Sequence, residues 1–166
     1  MGTPVDSAEK TIALLAEHNS SAEGCPFGYK LRTGGVTADA FPASPQIARA
    51  LVTAANAHVP IKFTAGLHHP IRQFRDEVKT KMHGFLNVLG AALLATEDDW
   101  DEQQTSEMLE DENAGSFLFG DDSFTWREWK ITTDQIKARR KLVTSFGSCS
   151  FNEPREDLRA LKLLTD

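Results

Sequence analysis

Along the first half of the chain, apolar residues recur at helical spacing in two stretches and form short strand-like runs in two others. Capping signals precede both helical stretches, Asp6 with Glu9 before the first and Ser44 with Pro45 before the second. The pattern therefore predicts helices at 6–18 and 45–57 and strands at 27–31 and 59–65. A strand, a helix and a second strand in this order are typical of a parallel β/α unit.

The pattern changes after residue 65. Residues 66–83 are polar and predict a long loop, whereas 84–95 form an almost continuous apolar stretch that indicates a buried helix. The elements predicted after it are an acidic helix or ordered loop at 97–114, a β-hairpin at 117–131, a helix from Thr132 to near Gly147, and a helix from Asn152 onward. We expect one α/β domain over 1–166, with a β/α core at 1–96 and the acidic helix, hairpin and C-terminal helices at 97–166.

The composition is that of a soluble globular domain, with 40% hydrophobic and 25% charged residues among 166. No apolar run approaches the roughly 18 residues of a bilayer-spanning helix, and the N-terminus lacks a signal-peptide pattern. We therefore expect a cytoplasmic protein without a membrane partner. Cys25 and Cys149 have neither metal-ligand nor disulfide-framework spacing, so we expect free thiols and interpret Cys149 as a buried structural one.

Charge is divided unevenly along the chain. The net charge of −6 consists of +2 over residues 1–96, from nine Lys/Arg and seven Asp/Glu, and −8 over 97–166, from nine and seventeen. The acidic half argues against nucleic-acid binding, which needs a basic face. The basic excess lies near the two predicted strands and favours a small anionic substrate.

Two segments, 29–35 and 61–70, have the same pattern: a short strand that contains a lysine and is followed by glycine. The lysines are Lys30 and Lys62. A lysine within an apolar strand is costly to bury unless it is paired or used. We expect both lysines near the ends of adjacent parallel strands, on the inward face. There one lysine can hold a carbonyl substrate as a Schiff base, while the second cation and desolvation keep its amine partly neutral.

The same segments resemble a known family. Lys30-Leu31-Arg32-Thr33-Gly34 resembles the Lys-Thr-Ser-Thr-Gly strand of deoxyribose-phosphate aldolases, and Lys62-Phe63-Thr64-Ala65-Gly66-Leu67 resembles their Lys-Ala-Ser-Gly-Gly-Ile strand. The resemblance implies late strands of a TIM barrel and a class I aldolase, a lyase in which Lys30 forms the Schiff base and Lys62 tunes it. More of the chain is similar to the C-terminal part of a larger, uncharacterised bacterial family, which carries over no activity. We therefore expect partial TIM-barrel-like β/α units.

Glycines after the two lysines let backbone N–H groups approach an anion, and neighbouring cations and hydroxyls add to such a site. The residues predicted to bind a phosphorylated or carboxylated substrate are Arg32, Thr33, Gly34, Gly35, Thr64, Gly66, Arg72 and His83.

The polar loop at 66–83 contains His68 and His69 besides His83, and its length indicates function. We expect a mobile lid that brings a histidine toward Lys30, with His68 and His69 as candidate acid or base groups. Neighbours on an extended segment point to opposite sides, and no metal-ligand spacing is present, so we predict no metal site and no cofactor.

The sequence thus favours an aldolase-like or lyase-like enzyme acting on a small phosphorylated or carboxylated carbonyl compound. Two alternatives remain open: a non-catalytic module or oligomerising barrel remnant that binds an anionic metabolite, and a histidine-metal hydrolase or lyase. A parallel sheet with few strands has open edges, so we expect a homodimer.

Overall fold

The computed structural model describes residues 7–21 and 23–164 as a mixed α/β fold, which confirms the predicted α/β class. Asp6, the predicted cap of the first helix, lies outside the described residues. The helices are α1 (Ala8–Ser21), α2 (Ser44–Asn56), α3 (Phe85–Glu97), α4 (Glu102–Glu110), α5 (Thr133–Arg139) and α6 (Asn152–Ala160). The strands are β1 (Tyr29–Arg32), β2 (Ile61–Thr64), β3 (Gln73–Arg75), β4 (Thr80–Met82), β5 (Phe117–Phe119), β6 (Ser123–Trp126), β7 (Trp129–Thr132) and β8 (Val143–Gly147).

The central sheet has three parallel strands in the order β1-β2-β8. Side chains alternate across it, with Tyr29, Leu31 and Phe63 buried in the core on one face. Helices α1, α2 and α3 contribute to the same core, which forms one cluster. The opposite face of the sheet is exposed at alternate positions. The strands of the described residues do not close into a barrel.

Strand β8 corrects the predicted helix from Thr132 to near Gly147. Helix α5 ends at Arg139, and the chain then enters the sheet, where Ile61 N–H donates to the Leu142 carbonyl and the Thr144 hydroxyl donates to the Ile61 carbonyl. β-branched and aromatic residues suit this position because they pack well on a pleated surface. The acidic half therefore supplies one strand of the central sheet.

Three smaller predictions also change. The segment at 66–83 is not a simple loop, because β3 and β4 form an antiparallel hairpin within it. The predicted hairpin at 117–131 is a three-stranded antiparallel sheet, β5-β6-β7. Ala43 rather than Ser44 is the N-cap of α2, and Ser44 is buried. The acidic stretch at 97–114 contains helix α4, and α3 is the buried helix that its apolar run predicted.

Within the part of the chain that the structure describes, no helix has the length and apolar character needed to cross a membrane.

Candidate functional site

A cavity of about 650 Å³ lies at the carboxyl ends of the three parallel strands. Its walls come from the segments that follow β1, β2 and β8, from the β3–β4 hairpin and from the first turn of α6. Open parallel sheets bind their ligands at this end. Of the residues predicted for the site, those that line the cavity are Arg32, Gly35, Gly66, His68 and His69.

Left-handed backbone at the end of β2 directs the chain into the cavity. Ala65 and Gly66 have φ angles of 67° and 75°, and this conformation turns the chain away from the sheet before His68. A Cβ on Gly34 would lie 2.9 Å from the Gly66 Cα, so the two strand ends touch backbone to backbone. The glycines predicted to approach an anion thus allow this close packing, while Gly66 also lines the cavity.

The backbone that carries the histidines is fixed to helix α3. The carbonyls of His69 and Pro70 accept from the first two N–H groups of α3, Phe85 N at 2.9 Å and Leu86 N at 2.9 Å. The Asn87 side chain accepts from Arg72 N at 2.9 Å. These bonds satisfy helix donors that would otherwise lack partners, and they hold residues 69–72 in place.

Cys149, His68 and Glu153 form a hydrogen-bonded chain at the cavity wall. The Cys149 Sγ lies 3.4 Å from His68 Nε2, and His68 Nδ1 lies 2.8 Å from Glu153 Oε2. A carboxylate only accepts, so Nδ1 carries the proton and Nε2 of the neutral ring is free to accept one from the thiol. The hydrogen bond from His68 holds the pKa of Glu153 below its ordinary value.

Cys149 is exposed, which corrects its interpretation as a buried structural thiol; both cysteines are free, as predicted. It follows β8 and precedes α6, whose first turn is held by a bond from Glu153 N to the Ser150 hydroxyl at 3.2 Å. A thiol beside an imidazole whose other nitrogen is held by a carboxylate is the arrangement of an activated nucleophile.

His69 forms a second histidine–carboxylate pair beside the first. Its Nδ1 lies 2.5 Å from Asp157 Oδ2, and the two imidazole centroids are 6.4 Å apart. Glu153 and Asp157 are four residues apart on α6 and therefore share one face of the helix. The sequence predicted that the two histidines point to opposite sides. This prediction is wrong, because both side chains turn toward α6.

Two arginines, Arg32 and Arg75, line the cavity on different walls, together with the carboxylates of Glu77 and Glu153. Arg32 donates from Nε to the Gly34 carbonyl at 2.9 Å, which orients its guanidinium, and it has no carboxylate partner among the described residues. Arg75 donates from Nε and Nη2 to both carboxylate oxygens of Glu77, so its charge is compensated locally. Arg32 is therefore the side chain best placed to bind an anionic group.

Lys30 and Lys62 do not face the core. They are register partners on β1 and β2, as the parallel unit predicted, but both are exposed because the alternation of the strands turns Tyr29, Leu31 and Phe63 inward. Within 7–21 and 23–164, neither lysine makes a hydrogen bond or ion pair, and neither lines the cavity.

The other predicted site residues have structural partners. The buried Thr33 hydroxyl donates to the Ala65 carbonyl at 2.6 Å, and the Thr64 hydroxyl points to the Leu31 carbonyl at 3.5 Å. Arg72 donates from Nη1 to His83 Nδ1 at 3.1 Å, while His83 Nε2 donates to the Pro42 carbonyl at 2.8 Å. Burial lowers the pKa of His83 to about 4, and the Arg72 charge acts in the same direction.

Arg72 and His83 therefore belong outside the cavity, with His83 neutral. Glu153 and Asp157 were not predicted as site residues, although their spacing of four on a predicted helix was a usable signal. No three His, Cys, Asp or Glu side chains converge on a point that could hold a metal ion anywhere in residues 7–21 and 23–164.

Comparison with known protein families, with curated proteins and with solved structures finds no match to this chain. The aldolase resemblance therefore stays a prediction that rests on two short motifs.

Proposed function

We propose that the cavity is the active site of a thiol-dependent enzyme that transfers the acyl group of a small anionic ester, thioester or amide to water. The observation that carries the proposal is the Cys149–His68–Glu153 chain, with 3.4 Å and 2.8 Å between successive partners. Its three members line the cavity of about 650 Å³, at the sheet end where parallel folds bind ligands.

The chain of hydrogen bonds assigns a role to each side chain. Cys149 transfers its thiol proton to His68 Nε2 while the sulfur adds to the substrate carbonyl carbon. The tetrahedral adduct then expels the leaving group, which takes that proton from Nε2–H, and a thioester on Cys149 remains. Water hydrolyses the thioester, and this step returns the thiol and releases the carboxylic acid. Glu153 keeps the imidazole oriented and stabilises its positive charge.

The substrate class follows from Arg32. Its guanidinium is oriented by the Gly34 carbonyl and has no carboxylate partner in the described ranges, so it favours a ligand with a carboxylate or phosphate group. A volume of about 650 Å³ suits a small molecule.

Acylation by a chromogenic ester tests the proposal. The mono-p-nitrophenyl ester of succinate should release a burst of p-nitrophenol and acylate the Cys149 peptide, as read by mass spectrometry. Cys149→Ser should abolish the thioester, and Glu153→Gln should slow its formation, whereas Glu156→Gln on the same helix should not. Arg32→Gln should remove the preference for the succinyl over the acetyl ester, with Lys10→Gln as the control.

Acyl groups spread equally over Cys25 and Cys149 would contradict the proposal. Saturable binding of succinate at Arg32 without any acylation would instead favour the non-catalytic module that binds an anionic metabolite.

A Schiff-base lyase is a second candidate, and one observation favours it. Lys30 and Arg32 project from the same face of β1, two residues apart, and Lys62 is the register partner of Lys30. With this candidate we also propose a fold relationship, in which the lysine-bearing face is the counterpart of the interior face of a TIM-barrel segment. The amine would attack a carbonyl whose anionic group binds Arg32.

Borohydride reduction with pyruvate separates the two candidates. A Schiff base at Lys30 predicts a reduced adduct on the Lys30 peptide that disappears in Lys30→Ala and survives in Cys149→Ser. Adducts distributed over surface lysines such as Lys10 would contradict it.

A further inference from the structure

His69 and Asp157 form a second hydrogen-bonded histidine–carboxylate pair, which the Cys149–His68–Glu153 chain does not include. We propose that protonated His69 donates a hydrogen bond from Nε2 to the substrate oxygen. This oxygen becomes negatively charged when Cys149 adds to the carbonyl. The inference rests on the proposed function and adds a catalytic residue to it, with Asp157 as the positioning residue. It also narrows the chemistry, because such a donor acts only on substrates whose reaction passes through an oxyanion.

The ring of His69 is held and yet has one unused nitrogen. Its side chain is 6% exposed, Nδ1 lies 2.5 Å from Asp157 Oδ2, and Nε2 has no hydrogen-bond partner among the described residues. His69 lines the same cavity as Cys149, so its remaining exposed surface opens there. A buried ring with one nitrogen fixed and the other facing a cavity is preorganised to donate without rearrangement.

The surrounding charges complement an imidazolium at His69. Asp157 contacts the ring directly, and Glu77 on the hairpin and Glu153 on α6 line the same cavity as His69. His68 lies beside it with a centroid separation of 6.4 Å and donates to its own carboxylate. The two adjacent histidines thus have different tasks: His68 accepts the thiol proton, and His69 donates to the oxyanion.

Two reactions of the same sulfur separate these tasks. Alkylation of Cys149 by iodoacetamide needs His68 as proton acceptor but forms no oxyanion. Acylation by mono-p-nitrophenyl succinate needs both. His69→Gln should therefore slow acylation by about 100-fold, the usual effect of losing one oxyanion donor. Its rate of alkylation at Cys149, measured relative to Cys25, should stay within about twofold of wild type.

The alkylation rate also reports whether the variant is folded, because the Cys149 preference depends on an intact His68–Glu153 pair. Asp157→Asn should slow acylation in the same selective way, and Glu156→Gln should change neither reaction. Equal acylation rates in wild type and His69→Gln would overturn the inference, as would a loss of both reactions, which would make His69 a structural support. Absence of the Cys149 preference in the wild type would instead contradict the proposed function itself.

Discussion

The clearest pH dependence of stability comes from His83. The ring is 1% exposed, accepts from Arg72 through Nδ1 and donates to the Pro42 carbonyl through Nε2. Its pKa is about 4 in the folded protein, against an ordinary 6.5, because burial and the Arg72 charge both oppose protonation. The folded state therefore binds fewer protons than the unfolded state between these two values, and its stability falls as the pH is lowered through that window.

The size of the effect follows from the two pKa values. Above pH 6.5 the contribution of His83 is fully present, and below pH 4 it is lost. The whole difference amounts to about 3 kcal/mol, and about 2 kcal/mol of it is lost between pH 7 and pH 5. His83→Gln keeps a donor and an acceptor at this position but cannot titrate, so the variant should lack this component.

Urea denaturation at pH 7 and pH 5 measures the difference. The free energy of unfolding of the wild type should fall by about 2 kcal/mol more than that of His83→Gln, since contributions of carboxylates are common to both proteins and cancel. His58→Gln, at an exposed histidine, should behave like the wild type. An equal loss of stability in wild type and His83→Gln would refute the assignment of the pH dependence to this ring.

Three further predictions concern the framework of the site. Asn87→Leu should lower the free energy of unfolding by about 3 kcal/mol or more, because Arg72 N and the carbonyls of Met108 and Asp111 lose their partner; a cost below about 1 kcal/mol would contradict this. At the left-handed turn after β2, Ala65→Gly should leave the free energy of unfolding unchanged or raise it by up to about 1 kcal/mol, whereas Gly66→Ala should lower it. Chemical denaturation measures both changes, and the reverse order would refute the assignment of strain to this turn. Light scattering at micromolar concentration should find a homodimer formed through the open sheet edges, and a strict monomer would contradict that expectation.

Local signals in the sequence predicted the β/α core. Strands β1 and β2 alternate apolar with basic or polar residues and end at glycine-containing turns, and the signals for α2 are also local. Strand β8 was missed, although its β-branched and aromatic residues favour a strand, because its partner β2 lies about 80 residues earlier and only one of its five residues is buried. A strand that depends on a distant partner is stabilised by packing that the local sequence does not contain.

The site was predicted only in part, because part of it depends on the missed strand β8. His68, His69 and Arg32 follow strand ends that the sequence revealed, so they were found. Cys149 follows β8. Because that segment was predicted as a helix, Cys149 was not expected at the carboxyl end of the sheet. The sequence was sufficient to predict that the Lys30 side chain points away from the core, because apolar Tyr29 and Leu31 flank it in a strand and must face the core.

The central claim is that His68 activates Cys149, and competitive alkylation within one molecule tests it most directly. Cys25 and Cys149 are both exposed, so Cys25 is an internal reference without an imidazole partner among the described residues. At pH 6.5, limiting iodoacetamide should modify Cys149 at least about tenfold faster than Cys25, as read from the two peptides by mass spectrometry. The preference should disappear in His68→Gln and persist in His58→Gln. Equal rates for the two thiols in the wild type, or a preference that survives in His68→Gln, would contradict the account.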